Sequence, residues 1–277
     1  MALSRFNDRV VIITGASAGV GAATARAFAQ RGATLALIAR GKEALKAIEA
    51  ELLPRTKVSV HALDVSDRDG CERMLAEVAE RFGRIDALIN NAGLHARGPV
   101  RTLSARDVGR MVDVNLAAPL FLSRAVLPYL EAAGGGAIIN VASLAGMTPL
   151  PNAATYSATK FGLRAFTFAM AEELRETDIS VSVVSPGPID TGFIMEELDS
   201  VEDIVFSQPM STAEEVAEAI VHAAMTGVPE IAMPAMSGKL ATAGYLMPWL
   251  SRALRPALQR KGAKVKARFR TDRGGKG

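Results

Sequence analysis

The sequence contains few of the residues that disulfide or metal chemistry requires. Its 277 residues include one cysteine, Cys71, and three histidines. An internal disulfide therefore cannot form, and the usual ligands of a zinc site are lacking. Cys71 falls in a helical pattern, where a free cysteine normally packs as a small apolar side chain. We expect no metal in the functional site.

Long apolar runs are lacking as well. The start, MALSRFNDRVVIITG, has no apolar segment between a basic region and a small-residue cleavage site, so we expect no export signal and a cytoplasmic location. The uncharged run from Leu240 to Ser251 is about a dozen residues long, whereas a membrane-spanning helix needs roughly 18. A hydrophobic content of 49% still allows a sizeable core, as in a soluble globular protein.

Acidic residues are almost absent from the end of the chain. From Arg252 onward, ten basic residues and one acid, Asp272, give a charge of +9, whereas 22 basic and 28 acidic residues before them give −6. Such a tail is most often solvated and disordered, but it also suits an anionic membrane surface or nucleic acid. The tail has one aromatic residue, Phe269. Because platforms for stacking bases are lacking, we expect no nucleic-acid partner.

What the sequence does contain is a regular alternation of two patterns. Segments with helical periodicity separate seven β-rich apolar runs, at residues 9–15, 34–40, 58–65, 85–91, 137–143, 179–186 and 230–234. Consecutive parallel strands need a crossover connection, which is usually a helix. The alternation predicts an α/β fold, with a Rossmann-type doubly wound parallel sheet of about seven strands in one domain over residues 1–235.

Two segments depart from this alternation. Residues 191–210 form a long connection that we interpret as a lid, and it ends at a capping-box pattern, Ser211–Glu214 or Thr212–Glu215. Residues 236–277 are predicted to be a C-terminal extension, an apolar helical segment followed by the basic tail. With Trp249 among leucines, this segment either contacts a membrane peripherally or folds over the substrate loop or a partner subunit.

The first apolar run leads into a glycine-rich turn, TGASAGVG, directly before a helical pattern. Glycines at such a turn let the backbone approach a pyrophosphate, which the free amides of the helix start then bind. At the end of the second run, an acid would hold the ribose 2′-hydroxyl of NAD, but the chain has Ala39 and Arg40, with no acid before Glu43. A basic residue suits a 2′-phosphate, so the sequence favours NADP over NAD.

Seven motifs in unbroken order resemble those of the short-chain dehydrogenase/reductase family. They are TGASAGVG at 14–21, DV at 64–65, NNAG at 90–93, Asn115 in VDVNLAAP, Ser143 in INVASLAG, YSATK at 156–160 and PGPIDT at 186–191. The resemblance spans roughly residues 7–235. It implies an enzyme that transfers hydride between a nicotinamide cofactor and a carbonyl or secondary alcohol.

The resemblance also implies roles for individual residues. By similarity, the catalytic residues are Asn115, Ser143, Tyr156 and Lys160. Together with Arg40, the expected cofactor-binding residues are Gly15, Ser17, Gly19, Val20, Gly21, Asp64, Val65, Asn91, Ala92, Gly93, Tyr156, Lys160, Pro186, Gly187, Ile189 and Thr191. Many NADP-dependent relatives have a basic residue just before the second glycine of the turn, where this chain has Ala18. The preference for NADP therefore rests on Arg40, helped by Ser17 and Lys42.

Tyr156 and Lys160 are four positions apart, so on a helix their side chains lie on one face. A free phenol has a pKa near about 10. One ammonium about 4 Å away would supply roughly the 4 kcal/mol that brings this pKa toward neutrality. We therefore expect Lys160 to lower the pKa of Tyr156, the proposed acid or base. Ser143 would donate a hydrogen bond to the substrate oxygen, and the resemblance implies that the Asn115 backbone holds a water linking Lys160 to solvent.

Apolar residues follow two of the motifs and would line the substrate cleft; they are Leu94, Leu144, Met147 and Leu150. They predict an apolar substrate, such as an acyl, steroid, isoprenoid or other lipid-like carbonyl or alcohol. Two roles are open for His95: contact with the substrate or, as is more usual for a lone loop histidine, a surface position. The alternative function is a non-catalytic sensor or scaffold that binds NADP. The resemblance also implies a homodimer or homotetramer that pairs helices around 105–131 and 156–175.

Overall fold

A sheet of seven parallel strands forms the centre of the molecule. The structure, a computed structural model, describes residues 6–190 and 201–274, without the side chains of residues 250, 251 and 269–274. The strands lie in the order β3-β2-β1-β4-β5-β6-β7. They are β1 (Val10–Thr14), β2 (Thr34–Ala39), β3 (Val58–Ala62), β4 (Ala87–Asn90), β5 (Gly136–Val141), β6 (Ile179–Pro186) and β7 (Glu230–Met233). Each overlaps one predicted run, so the predicted sheet is confirmed.

Helices connect the strands and cover both faces of the sheet. They are α1 (Gly19–Ala29), α2 (Lys42–Leu52), α3 (Arg68–Phe82), α4 (Ala105–Val112), α5 (Ala118–Ala125), α6 (Leu127–Ala132), α7 (Ala154–Glu173), α8 (Ala213–Thr226), α9 (Ala235–Leu246) and α10 (Pro248–Gly274). A π-helical turn, Asp113–Ala117, joins α4 to α5. Of the two capping-box alternatives, the structure forms Thr212–Glu215 at the start of α8.

The core consists of two apolar layers, one on each face of the sheet. Every residue of β1, β4 and β5 is buried, as expected for parallel strands covered on both sides. On one face, Phe28 of α1 and Ile220 of α8 belong to the same cluster as Ile13. On the other face, Leu122 of α5 and Met170 of α7 belong to the cluster of Ile12. The carboxyl ends of the strands consequently meet at one edge, where doubly wound folds bind ligands.

The helical stretch from Ala105 to Ala132 is long and apolar enough to cross a membrane by length and composition alone. Leu122, Val126 and Leu130 of this stretch are buried against the sheet. The core helix of a globular domain has the same composition, because one side of it packs on apolar strands. The packing here is that of a core helix.

Candidate active site

A single cleft of about 1690 Å³ runs along the carboxyl edge of the sheet. Most ligand pockets measure about 300–1000 Å³, so this cleft has room for a dinucleotide together with a substrate. It is lined by sixteen of the predicted site residues: Gly15, Ser17, Gly19, Val20, Arg40, Asp64, Val65, Asn91, Ala92, Gly93, Ser143, Tyr156, Lys160, Pro186, Gly187 and Ile189. Gly21 and Asn115 lie behind its wall, and Thr191 falls outside the described residues.

The glycine-rich turn packs against the loop that follows β4. Gly15 has a φ of +67°, and a β-carbon on Gly21 would overlap the carbonyl oxygen of Gly15. The Thr14 hydroxyl accepts hydrogen bonds from the backbone amides of Asn91 and Ala92, both at 3.0 Å. The Asn91 side chain in turn donates to the Thr14 carbonyl oxygen at 2.9 Å. These contacts hold the turn open toward the cleft.

The start of helix α1 suits an anionic group. No side chain caps α1, and its first turn contains no acidic residue. The amides of a first helical turn lack intrahelical partners, so they are available to a phosphate. With small residues at Gly15 and Gly21 leaving space for close approach, this part of the chain fits the pyrophosphate of a dinucleotide.

The ends of β2 and β3 form the other half of the cofactor side. Arg40, which follows β2, is exposed and lines the cleft, whereas Lys42 does not line it. Burial raises the pKa of Asp64, but hydrogen bonds from Ser66 and the nearby Arg40 and Arg110 outweigh burial and lower that pKa overall. Ala39 offers no carboxylate to a ribose 2′-hydroxyl, so the residues present fit a 2′-phosphate beside Arg40.

Three of the predicted catalytic side chains meet on the opposite wall. Tyr156 lies in the first turn of α7 and, like Ser143, which follows β5, lines the cleft. Lys160 follows one turn later, is buried, and donates a hydrogen bond from Nζ to the Val141 carbonyl oxygen at 2.8 Å. Its Nζ lies 5.8 Å from the centroid of the Tyr156 ring. The helical spacing therefore brings the phenol and the ammonium together, as predicted.

The expected effect of Lys160 on the pKa of Tyr156 was wrong for the protein alone. Burial raises the pKa of Tyr156, and the hydrogen bond with Ser143 and the charge of Arg97 oppose this rise without reversing it. Burial also lowers the pKa of Lys160 to about 8. One charge pair does not set this pKa, because the desolvation of both groups dominates in a buried site.

His95 and Arg97 form a second polar group beside Tyr156. The His95 ring stacks on the Tyr156 ring with centroids 4.2 Å apart and planes 14° apart. Arg97 donates from Nη1 to His95 Nδ1 at 3.0 Å, which places the imidazole hydrogen on Nε2. Burial first, then Arg97 and Lys160, lower the pKa of His95 to about 3. His95 is therefore partly buried in the cleft and neutral, which differs from the surface position that is more usual for a loop histidine.

Asn115 joins the loop after β4 to the central helices. It lies in the π-helical turn, and its side chain exchanges two hydrogen bonds of 2.8 Å with the backbone amide and carbonyl of Leu94. Its amide also approaches the Thr159 hydroxyl of α7 at 3.4 Å. A π-helical turn inserts one extra residue into a helix and often occurs at functional sites. Asn115 thereby fixes the backbone beside the cleft between Gly93 and His95.

The C-terminal helices form the third wall of the cleft. Residues of α9, α10 and the segment 201–209 line it together with the catalytic residues. A β-carbon on Gly262 of α10 would overlap the Asp203 carbonyl oxygen, so the helix lies directly on this segment. Buried Lys266 donates to the Val201 carbonyl oxygen at 2.6 Å and pairs with Asp203. The prediction of a disordered tail was wrong through Gly274, because the extension folds over the cleft.

The comparisons with known proteins agree with this arrangement. The short chain dehydrogenase family profile matches residues 9–202, more than half of the chain. The chain belongs to the short-chain dehydrogenase family. Like its family, this short-chain dehydrogenase is an oxidoreductase that uses a nicotinamide cofactor, NAD or NADP, and acts on CH–OH groups or the corresponding carbonyls.

The relatives of this short-chain dehydrogenase are named for different substrates. It is 37% identical over 189 residues to 3-oxoacyl-[acyl-carrier-protein] reductase of Thermotoga maritima, covering 68% of this chain and 76% of the relative. It is 33% identical over 233 residues to levodione reductase of Leifsonia aquatica, covering 83% of this chain and 86% of the relative. A solved metagenomic short-chain oxidoreductase in complex with NADP has a TM-score of 0.71 and 33% identity, covering 82% of this chain and 96% of that one.

Sequence reasoning missed Arg97 and the cleft-lining residues of α10. Arg97 follows NNAG by four positions, and a basic residue so close to that motif is a signal that could have been weighed. The α10 residues give no such signal, because their place in the cleft depends on how the extension packs. Gly262 in an otherwise helical, basic segment is the one indication in the sequence of a close helix contact.

Proposed function

We propose that this protein is an NADP-dependent oxidoreductase that interconverts a carbonyl and a secondary alcohol on an apolar substrate. The observation that carries the proposal is the position of Tyr156, with Lys160 Nζ 5.8 Å from the centroid of its ring and Ser143 on the same wall, in the same cleft as the glycine turn. That cleft brings one proton-transferring side chain within reach of a bound dinucleotide and a substrate. A binding protein without turnover would not require this group.

Tyr156 is proposed to exchange the proton with the substrate oxygen. Ser143 holds and polarises that oxygen through its hydroxyl, and Lys160 supplies positive charge behind the phenol. Asn115 is a positioning residue for Leu94 and the adjoining loop. The bound cofactor supplies or accepts the hydride. Because burial raises the pKa of Tyr156 in the protein alone, the residues favour the protonated phenol, which is the form needed to reduce a carbonyl.

The proposed preference for NADP rests on Arg40 at the end of β2. Replacing it in the variant Arg40→Ser should weaken NADPH binding about tenfold, since one exposed ion pair to a phosphate is lost, and leave NADH binding unchanged. Titration of both cofactors by fluorescence measures the two affinities. Lys57→Ser, which removes an exposed cation outside the cleft, is the control. Equal loss for NADH and NADPH would refute the assignment.

The proposed apolar substrate rests on the lining of the catalytic part of the cleft. Apolar side chains from four elements surround it, namely Leu144, Leu150, Ile204, Val205, Leu240 and Leu254. Apolar walls gain free energy from an apolar ligand and offer few partners to the hydroxyls of a sugar. The substrates named for the relatives differ, so family membership does not define the substrate class. The proposal therefore depends on the apolar lining of the cleft.

The test of the function is NADPH consumption with a panel of apolar ketones and aldehydes. Tyr156→Phe should reduce turnover by about 10²–10⁴-fold, because the proton donor is removed, and change NADPH affinity by much less than turnover. Tyr129→Phe is the matched control, since Tyr129 packs against the core and does not line the cleft. Turnover that survives Tyr156→Phe would overturn the proton donor. Tight NADPH binding without turnover across the panel would favour the sensor or scaffold.

Assembly and location are further parts of the proposal. We propose a homodimer or homotetramer that pairs the helices around 105–131 and 156–175, where side chains such as Val112 and Phe168 are not buried within one chain. We propose a cytoplasmic enzyme with peripheral membrane contact through its C-terminal segment. Sedimentation velocity and cell fractionation test the two statements.

A further inference from the structure

The C-terminal helices expose an unusual amount of apolar surface. Among the described residues, twelve large hydrophobic side chains are exposed, and eight of them lie in α9, in α10 or at Met247 between them. We name these eight the C-terminal apolar surface: Met236, Leu240, Tyr245, Leu246, Met247, Trp249, Leu254 and Leu258. Leu246 is 73% exposed and Trp249 is 67% exposed. Single exposed hydrophobic residues are ordinary, whereas such a concentration marks an interaction site.

This surface is continuous with the active-site cleft. Five of its members also line the cleft: Met236, Leu240, Tyr245, Leu254 and Leu258. These five side chains therefore belong both to the exposed apolar surface and to the lining of the cleft. An apolar path therefore leads from the surface of α9 and α10 toward Tyr156. Leu246 and Trp249 lie beyond this path and do not line the cleft.

Positive charge accompanies the apolar surface. From Ile231 to Thr271 the sequence has nine lysines or arginines and no acidic residue. Lys239, Arg252, Arg260 and Lys264 are exposed on α9 and α10. Exposed leucines with tryptophan and tyrosine, next to lysine and arginine, are the composition of helices that lie in the interface of an anionic bilayer. A second copy of the chain fits less well, because symmetric pairing would bring two cationic surfaces together.

We propose that the C-terminal apolar surface docks on an anionic lipid bilayer, so that a lipid-borne substrate enters the cleft without passing through water. The docking itself needs no catalysis, whereas the entry of substrate rests on the proposed function. As the substrate leaves the lipid tails of the bilayer, it contacts the apolar side chains that line the cleft, so its apolar surface is not exposed to water. The cations bind the lipid headgroups and hold the C-terminal apolar surface against the membrane.

Flotation of the full chain with vesicles tests the docking. Wild-type protein should bind phosphatidylcholine vesicles that contain phosphatidylserine, and added salt should weaken that binding. The variant Leu246→Ser/Trp249→Ser should bind about tenfold more weakly, because it loses two exposed apolar side chains. Leu53→Ser, which removes a leucine that is 55% exposed after α2, should bind like wild type. No binding by wild type, or equal binding by the double variant, would overturn the proposal.

A charge variant and an oligomer measurement complete the test. Arg260→Gln/Lys264→Gln should bind severalfold more weakly to the anionic vesicles, and Lys57→Gln should not. If Leu246→Ser/Trp249→Ser forms a smaller oligomer than wild type in sedimentation velocity and wild type does not bind vesicles, the surface pairs subunits and the proposal is wrong. All variants should keep the NADPH turnover of a soluble short-chain carbonyl. Vesicle binding without any such turnover would refute the proposed function and leave the docking intact.

Discussion

The two sides of the cleft are built in different ways. On the cofactor side, neighbouring segments are joined by hydrogen bonds between side chains and backbone and by close glycine contacts, as between Thr14, Asn91 and Gly21. On the substrate side, α10 packs on the segment 201–209 through the contact of Gly262 with Asp203, the buried cation Lys266 and apolar side chains such as Val265. The first side presents mainly backbone groups to the cleft, whereas the second presents mainly apolar side chains. The different substrates in the relatives' names agree with this division.

Gly21→Ala should disrupt the glycine turn that binds the cofactor, and we expect the largest effect from this change. The added β-carbon would overlap the backbone of Gly15, which cannot move without opening the turn. We expect NADPH to bind about 100-fold more weakly, equivalent to roughly 3 kcal/mol of strain. Gly109→Ala is the control, because nothing lies near a β-carbon there and an exposed helix gains up to about 1 kcal/mol from the change. Unchanged NADPH affinity in Gly21→Ala would contradict a rigid turn.

Asn115→Ala should destabilise the loop after β4, which lies between the cofactor side and the substrate side of the cleft. The change removes both hydrogen bonds to Leu94 and leaves its backbone amide and carbonyl without these partners. The expected loss in the free energy of unfolding is about 2–3 kcal/mol, measured by urea titration. A loss below about 0.5 kcal/mol would show that another group takes over the Leu94 contacts.

Lys160→Met should raise the free energy of unfolding and abolish turnover, which separates the catalytic role of Lys160 from its effect on stability. Burial lowers the pKa of Lys160 to about 8. Below that pH the buried ammonium stays charged, and its desolvation lowers the free energy of unfolding by roughly 3 kcal/mol. Subtracting the hydrogen bond to Val141, we expect the cofactor-free variant to be about 2 kcal/mol more stable at pH 7.

The pH dependence of that difference checks the cause. Between about pH 8 and 10.5 the unfolded wild-type chain binds more protons at Lys160 than the folded one, so wild-type stability rises relative to the variant. Urea titrations at pH 7 and pH 10 should therefore show a narrowing gap. A variant that is less stable at pH 7 would contradict the assigned desolvation.

Gly262→Ala should change the substrate side alone and have the smallest effect. Its β-carbon would push α10 away from the Asp203 carbonyl oxygen and alter the apolar wall. We expect KM for an apolar carbonyl to rise about tenfold with NADPH affinity unchanged. Ala263→Gly, at an exposed position of the same helix, costs only helix propensity and serves as the control. Parallel losses in both affinities would mean that the two sides are coupled.

The sheet could be predicted because its information is local. Each strand is an apolar run that parallel neighbours bury on both faces, so composition alone locates β1 to β7. The glycine turn and the spacing of Tyr156 and Lys160 are equally local. Their placement in one cleft follows from strand order, since the carboxyl ends of parallel strands share an edge.

The errors concern effects that depend on surroundings. The pKa of Tyr156 is raised because the phenol is buried, and spacing along a helix says nothing about burial. The role of His95 depends on stacking with a residue 61 positions away. The path of the basic tail depends on a contact between Gly262 and Asp203. None of these can be obtained from the pattern of a short segment.

The π-helical turn at Asp113–Ala117 makes the length of this region critical. It holds one residue more than an α-helical turn would, and the surplus residue sets the angle at which Asn115 leaves the helix. An in-frame deletion of one codon here would remove the surplus residue and produce an uninterrupted α-helix, with the side chains before and after the turn still in register with the core. Chains shortened by one residue in this turn should therefore remain helical by circular dichroism and still lose the two hydrogen bonds between Asn115 and Leu94.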